Sequence, residues 1–201
     1  MTAAGQDRPS GTQPRRWARE ALLQAAARRF YADGLAGTGI DAITAEAGVA
    51  KKSLYNNFAS KAELVGAYLE ARHAEWLALY RARLGRAGNA TERVLAVFDA
   101  YADHAGLAYD RGFRGCGLLN AAAELPAGDP GRETVRRHKE EVEALLSAHL
   151  SELHPEAANA APLARHLAFL LEGAMARAGL EGNDQCIRDA RRLAADLIGA
   201  S

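Results

Sequence analysis

The stretch TGIDAITAEAGVAKKSLYNNFASK, from Thr38 to Lys61, constrains the fold more than any other. Two short runs of helical composition flank Ala47-Gly48-Val49, where one helix must stop and the backbone must reverse. Glycine reaches left-handed angles without steric penalty, so Gly48 both ends the first run and permits a sharp entry into the second. The stretch predicts a helix-turn-helix followed by the start of a longer helix.

Local chemistry assigns the faces. Thr38 and Asp41 have the spacing of a capping box that opens the first short helix, with Ile40 and Ile43 turned inward. On the second, Leu54 and Phe58 lie four apart and should pack against a preceding helix, while the pairs Lys51/Tyr55 and Lys52/Asn56 share the opposite face. That face suits a DNA major groove: lysine donates to guanine or phosphate, asparagine pairs with adenine and a tyrosine hydroxyl binds phosphate. Ser60 and Glu63 form a second capping box, and Lys61 falls in the first turn of the helix it opens, where orphan N–H groups favour a phosphate.

Charge agrees with this placement. The 201 residues carry 25 basic and 25 acidic side chains, but residues 1–61 hold 9 Lys and Arg against 5 Asp and Glu. The excess coincides with the helix-turn-helix, while the neutral total disfavours a non-specific architectural DNA binder. Gly34, Gly37 and Gly39 cluster just before it, but their spacing is neither GxGxxG nor a Walker motif and they follow a helix rather than a strand.

The remaining chain reads as further helices. Alanine, leucine, arginine and glutamate dominate and β-branched runs are absent, so an all-α fold is predicted. Residues 1–14 lack apolar periodicity and are expected to form a disordered tail, with Arg15 and Arg16 at its end able to reach DNA. A first helix is expected over Trp17–Ala32, stopped by Asp33-Gly34. A long fourth helix from Ser60 to about Leu84 is too apolar to serve a DNA-binding unit alone and should join residues 15–62 to a second domain, 63–201. Thr91 is expected to cap the fifth helix, a short helix follows over 116–124, and a long amphipathic one runs over 132–153. The last two, near 162–178 and 184–198, carry wide apolar stripes that could close the monomer core or pair with a second copy.

Cys116 and Cys186 lie far apart and form no CxxC, so neither a disulfide framework nor a metal site is expected, and no cofactor is implied. No apolar run approaches the ~18 residues that would span a bilayer, and without a signal peptide a cytoplasmic protein is expected.

The run GTGIDAITAEAGVAKKSLYNNFASKAELV, with its threonine, isoleucine, Ala-Gly-Val, Leu-Tyr, phenylalanine and Lys-x-x-Leu, resembles the amino-terminal signature of the TetR/AcrR transcriptional regulators over about residues 17–65. The resemblance implies nine or so helices, of which three bind DNA, the rest bind a ligand and the last two make a homodimer. It implies that Thr38 begins the second helix near phosphate, that Lys51 to Asn57, including Ser53 and Asn57, form the recognition helix, and that Tyr55 and Lys61 touch backbone. Gly39, Lys52, Asn56 and Asn57 depart from residues common in the family, so the operator sequence does not follow from it. The segment RGCGLLNAAAE resembles a stretch found in part of the family.

The expected function is a repressor released from double-stranded operator DNA by a small, largely apolar molecule. Candidate pocket residues are Trp76, Tyr80, Tyr101, His104, Phe113, Cys116, Asn120, Phe169 and Met175, drawn from the elements the family arranges around its cavity. Cys116, at the start of a short helix and near Arg111 and Arg114, suggests an alternative: a thiol sensor of oxidants or electrophiles. An enzyme using Cys116 with His104 or His138 would also need a base and an oxyanion site, which residue type alone does not supply.

Overall fold

In the computed structural model, residues 12–107, 111–153 and 160–199 are described, with side chains from residue 16 onward. Among them are nine helices and no strand: α1 Thr12–Asp33, α2 Ile40–Ala47, α3 Lys51–Asn57, α4 Lys61–Leu84, α5 Ala90–Ala105, α6 Gly117–Glu124, α7 Pro130–Leu153, α8 Ala160–Glu181 and α9 Gln185–Gly199. The expected all-α architecture is the observed one. The tail expected over 1–14 lies outside the described residues up to residue 11, and α1 begins at Thr12.

The chain divides into two compact units, residues 1–68 and 69–201, so the division falls inside α4 between Tyr68 and Leu69. In the first, α1 presents Leu22, Ala25, Ala26 and Phe30 at helical spacing, all buried, and packs on α2 and α3. Ile43, Leu54 and Phe58 complete that core, as the helical periodicity predicts. Arg19 lies over the Phe58 ring, its guanidinium carbon 5.0 Å from the centroid. The turn closes as a Schellman motif: Gly48 adopts φ 66°, its N–H donates to Ala45 O, and Val49 N–H donates to Thr44 O.

Three caps differ from expectation. Thr38 does not cap α2; the N-cap is Gly39, without a side-chain bond. Instead the buried Thr38 hydroxyl donates to Gly34 O at 2.7 Å, with Arg29 O second at 3.2 Å, and so ties the loop after α1 back to that helix. At α4, Glu63 N–H donates to Ser60 Oγ as a capping box requires, but the reciprocal arm reaches Ala59 N–H rather than that of Ser60. At α5 the cap is Asn89, whose Oδ1 accepts from Glu92 N–H, not Thr91, because the helix starts two residues earlier than expected, at Ala90.

In the second unit α5 packs on α7 and α9, α7 on α8, α8 on α9, and α6 on α7. Buried in this unit are Val94, Phe98 and Tyr101 from α5, Val135, Val142, Leu146 and Leu150 from α7, Leu167, Leu171 and Met175 from α8, and Ile187, Ala190 and Ala194 from α9, whereas Leu193 and Leu197 of the expected apolar α9 stripe are exposed. Among the described residues no helix is long and apolar enough to cross a membrane.

Candidate functional site

Two sets of residues carry chemistry, one in each unit. In the first, burial of Leu54 and Phe58 fixes the rotation of α3, so Lys51, Lys52, Tyr55 and Asn56 are exposed together on the other side. Tyr55 is half exposed, unusual for a large aromatic ring. Lys51 Nζ lies 2.8 Å from Asp41 Oδ1, and this hydrogen-bonded ion pair raises the Lys51 pKa. Ser53 and Asn57 are half-buried, with Asn57 Nδ2 donating to Ser53 O at 2.8 Å, so the Asn57 amide braces the last turn of α3.

Around this face, Lys61 donates to the carbonyl of Leu35 at 2.5 Å, tying the start of α4 to the loop after α1. An ammonium has three donors, so the bond positions Lys61 without exhausting it. Thr38 is buried and its hydroxyl is committed to carbonyls of α1 and the following loop. Gly39 is exposed, and a Cβ there would meet nothing within 4 Å. Behind the face, Arg28 and Arg29 both bind Glu46, clamping α2 to α1 and holding the Glu46 carboxyl below its ordinary pKa despite the opposing effect of burial.

In the second unit the sequence names part of a larger polar cluster. Trp76 stacks on Tyr80 with centroids 5.5 Å apart, touches Tyr101 at 5.2 Å, and meets the edge of His138 at 5.3 Å. Tyr101 Oη lies 3.1 Å from His138 Nε2, and His138 Nδ1 lies 2.9 Å from His73 Nδ1. Burial, with the neighbouring Lys139 charge, pushes the His138 pKa down to about 3, so its ring is neutral and each bond has one donor and one acceptor. Tyr80 Oη and His149 Nε2 are 2.6 Å apart, and burial raises the Tyr80 pKa. His104 Nε2 lies 3.1 Å from Glu75 Oε2, which also pairs with Arg72 at 2.8 Å.

Lys139 is the hub. Its Nζ lies 2.7 Å from Glu172 Oε1, and it donates to Tyr101 Oη at 3.3 Å and to Cys116 Sγ at 3.7 Å. Burial alone would push Lys139 down, but Cys116, Tyr101 and Glu172 outweigh it and raise its pKa, so the ammonium stays charged. Among the described residues, three buried polar atoms in this unit have no hydrogen-bond partner: Trp76 Nε1, Arg72 Nε and Glu172 Oε2. An unpaired buried donor or acceptor costs about 1–3 kcal/mol. Close backbone approach seats the Cys116 loop: a Cβ on Gly179 of α8 would come within 2.7 Å of Gly115 Cα.

Of the nine expected pocket residues, Trp76, Tyr80, Tyr101, His104, Phe113, Cys116 and Met175 are buried. Two are not in the core. Phe169 is 66% exposed on α8, because its helical position faces away from the stripe Ala164, Leu167, Leu171. Asn120 is exposed on α6 and spends its amide donor on Arg114 O. The sequence reading missed His73, Lys139, His149 and Glu172, and took His138 only as an enzymatic base. A signal existed: His138 and His149 fall in register with Val135, Val142 and Leu146 on the buried side of α7, at positions where an apolar residue is expected. Among the described residues no three His, Cys, Asp or Glu side chains are arranged to hold a metal ion.

Comparisons with known proteins place this geometry. The sequence model described as bacterial regulatory proteins, tetR family, matches residues 22–68, which run from within α1 through α2 and α3 into α4. No curated protein matches the chain. A TetR-family transcriptional regulator from Streptomyces coelicolor is 33% identical over 91% of this chain and 94% of its own, with a TM-score of 0.80. A TetR transcriptional regulator from Chloroflexus aurantiacus is 25% identical over 93% and 96%, also with a TM-score of 0.80. Since the likeness to the Streptomyces coelicolor regulator runs along nearly its full length, this chain belongs to the TetR family of transcriptional regulators, with a helix-turn-helix for binding DNA.

Proposed function

We propose that this regulator is a homodimeric repressor that leaves a palindromic operator when a small molecule binds among the helices of its second unit. The observation that carries the reading is α3, with Leu54 and Phe58 buried behind it and Lys51, Lys52, Tyr55 and Asn56 exposed in front. Lys52 and Asn56 are the base readers, Lys51 and Tyr55 bind phosphate, and Ser53, Asn57, Gly39 and Lys61 shape or flank the contact. Thr38 acts indirectly, through its bonds to Gly34 and Arg29.

A repressor reading two half-sites one helical turn apart must be two-fold symmetric. The exposed apolar residues Phe169 and Leu180 of α8 and Leu193 and Leu197 of α9 support a dimer through these helices. Effector binding among Trp76, Tyr80 and Tyr101 is supported by the burial of these rings against one another and by the Trp76 indole N–H, which has no partner among the described residues. Since α4 belongs to both units, an effector that prefers one setting of it shifts operator affinity by its differential affinity for the two states. Each tenfold of release requires about 1.4 kcal/mol of such coupling.

Footprinting on the DNA flanking the gene tests the reading. A protected palindrome is expected, lost in Lys52→Ala/Asn56→Ala; uniform protection, or none, would refute it. The contact between Lys139 and Cys116 favours a second reading of the trigger, a thiol-responsive regulator.

A further inference from the structure

Cys116 is not an isolated core thiol. Its sulfur faces an N–H of a charged lysine at 3.7 Å, and the same ammonium holds the Tyr101 hydroxyl and one oxygen of Glu172. Among the described residues the other Glu172 oxygen is buried and unpaired, and so is the indole N–H of Trp76, whose ring lies against Tyr101. Trp76 is 2% exposed, so its N–H cannot turn to water instead. The group therefore combines a nucleophile, a fixed proton donor and two unmet polar atoms, with aromatic rings alongside.

Cys186 supplies a natural contrast. It is less buried, but its Sγ lies 3.2 Å from the carboxylate of Glu181, and that hydrogen bond together with burial raises its pKa. Negative charge beside a thiol disfavours the thiolate, which is the nucleophile; a cation beside it does the opposite to charge developing on sulfur. The ordinary rule that the more exposed cysteine reacts first should invert here.

We propose that Cys116 and Lys139 form a covalent effector site for small, uncharged α,β-unsaturated carbonyl compounds. The proposal rests on the reading of the second unit as the effector domain and names the chemistry of its effector. The Cys116 S–H gives its proton to solvent, and Sγ forms a bond to the β-carbon while the carbon–carbon π bond breaks. The electron pair passes to the carbonyl oxygen as an enolate. Lys139 donates a proton to that enolate and regains one from solvent, so the product is a thioether with no oxidant or reductant consumed. An uncharged compound is required because Lys139 and Glu172 already balance each other, and a further buried charge would be uncompensated. Small size is required because Cys116 is 7% exposed.

The test is intact-protein mass spectrometry of the full chain with methyl vinyl ketone, comparing wild type, Cys116→Ser, Cys186→Ser and Lys139→Met. The first adduct is expected on Cys116, unaffected by Cys186→Ser, and slowed about tenfold in Lys139→Met. Lys139→Arg keeps the charge and should retain most of the rate, and thermal melts identify any variant that fails to fold. Faster modification of Cys186, or a Cys116 rate indifferent to Lys139→Met in the folded protein, overturns the proposal. Gel shifts on the footprinted DNA then separate the two layers. Loss of binding on modification, absent in Cys116→Ser, is expected; a Cys116 adduct that leaves DNA binding intact ends the effector role, whereas a protein that binds no DNA before modification refutes the underlying regulator reading.

Discussion

Lys52 is exposed on α3, on the side opposite Leu54. If it reads a base, Lys52→Ala should weaken operator binding by about 1–3 kcal/mol and relax the preference at the base pair it contacts. Titrating binding to operators varied one base pair at a time measures this, and an unchanged preference would remove Lys52 from the base readers. His138 permits a prediction of stability. Burial and Lys139 hold its pKa near 3, below the ordinary 6.5, so between these values the unfolded chain binds a proton that the folded one refuses. Its contribution is therefore complete above about pH 6.5 and declines by up to about 1.4 kcal/mol per pH unit as the pH falls towards 3. Melting curves of wild type and His138→Gln between pH 7 and 4 should converge on acidification; parallel curves would show that His138 is not the titrating group.

At the scale of elements, backbone contacts decide more than side-chain propensity. Gly179 lets α8 touch the loop at Arg114 and Gly115, where any Cβ would collide with backbone that has no rotamer to relieve it. Gly179→Ala should cost about 1–3 kcal/mol by overpacking and, by displacing the loop, should slow adduct formation at Cys116. Denaturant unfolding measures the first effect, and a variant as stable as wild type would show that the loop yields freely. Caps show where local rules stop. Thr91 is the cap that local sequence suggests for α5, and the choice of Asn89 instead depends on where the preceding turn at Gly85 to Gly88 releases the chain. Thr38 obeys the same chemistry with a different partner, because the turn after α1 brings the carbonyls of Gly34 and Arg29 within its reach.

At the scale of the whole molecule, the prediction concerns assembly. Leu193 and Leu197, four apart on α9, and Phe169 on α8 expose apolar surface that a second copy would cover. Leu193→Asp should convert the dimer to monomer in light scattering and abolish binding to a palindromic site, while leaving the helical content unchanged. A dimeric Leu193→Asp protein would place the interface elsewhere. The sequence by itself determined the helix-turn-helix, because its signals are local: Gly48 stops a helix wherever it stands, and the four-residue spacing of Leu54 and Phe58 fixes the face that Lys52 and Tyr55 share. It could also place Trp76 and Tyr101 inside, since periodicity reports burial. Only the tertiary structure decided that Lys139 meets Cys116, Tyr101 and Glu172, or that His138 meets His73 and Trp76. These contacts join α4, α5, α7, α8 and the start of α6, and no periodicity within one helix encodes which residue of another will face it. In a sequence, Lys139 reads as one more charge in RRHKEE; packed among four helices, it becomes the charge around which the site is arranged.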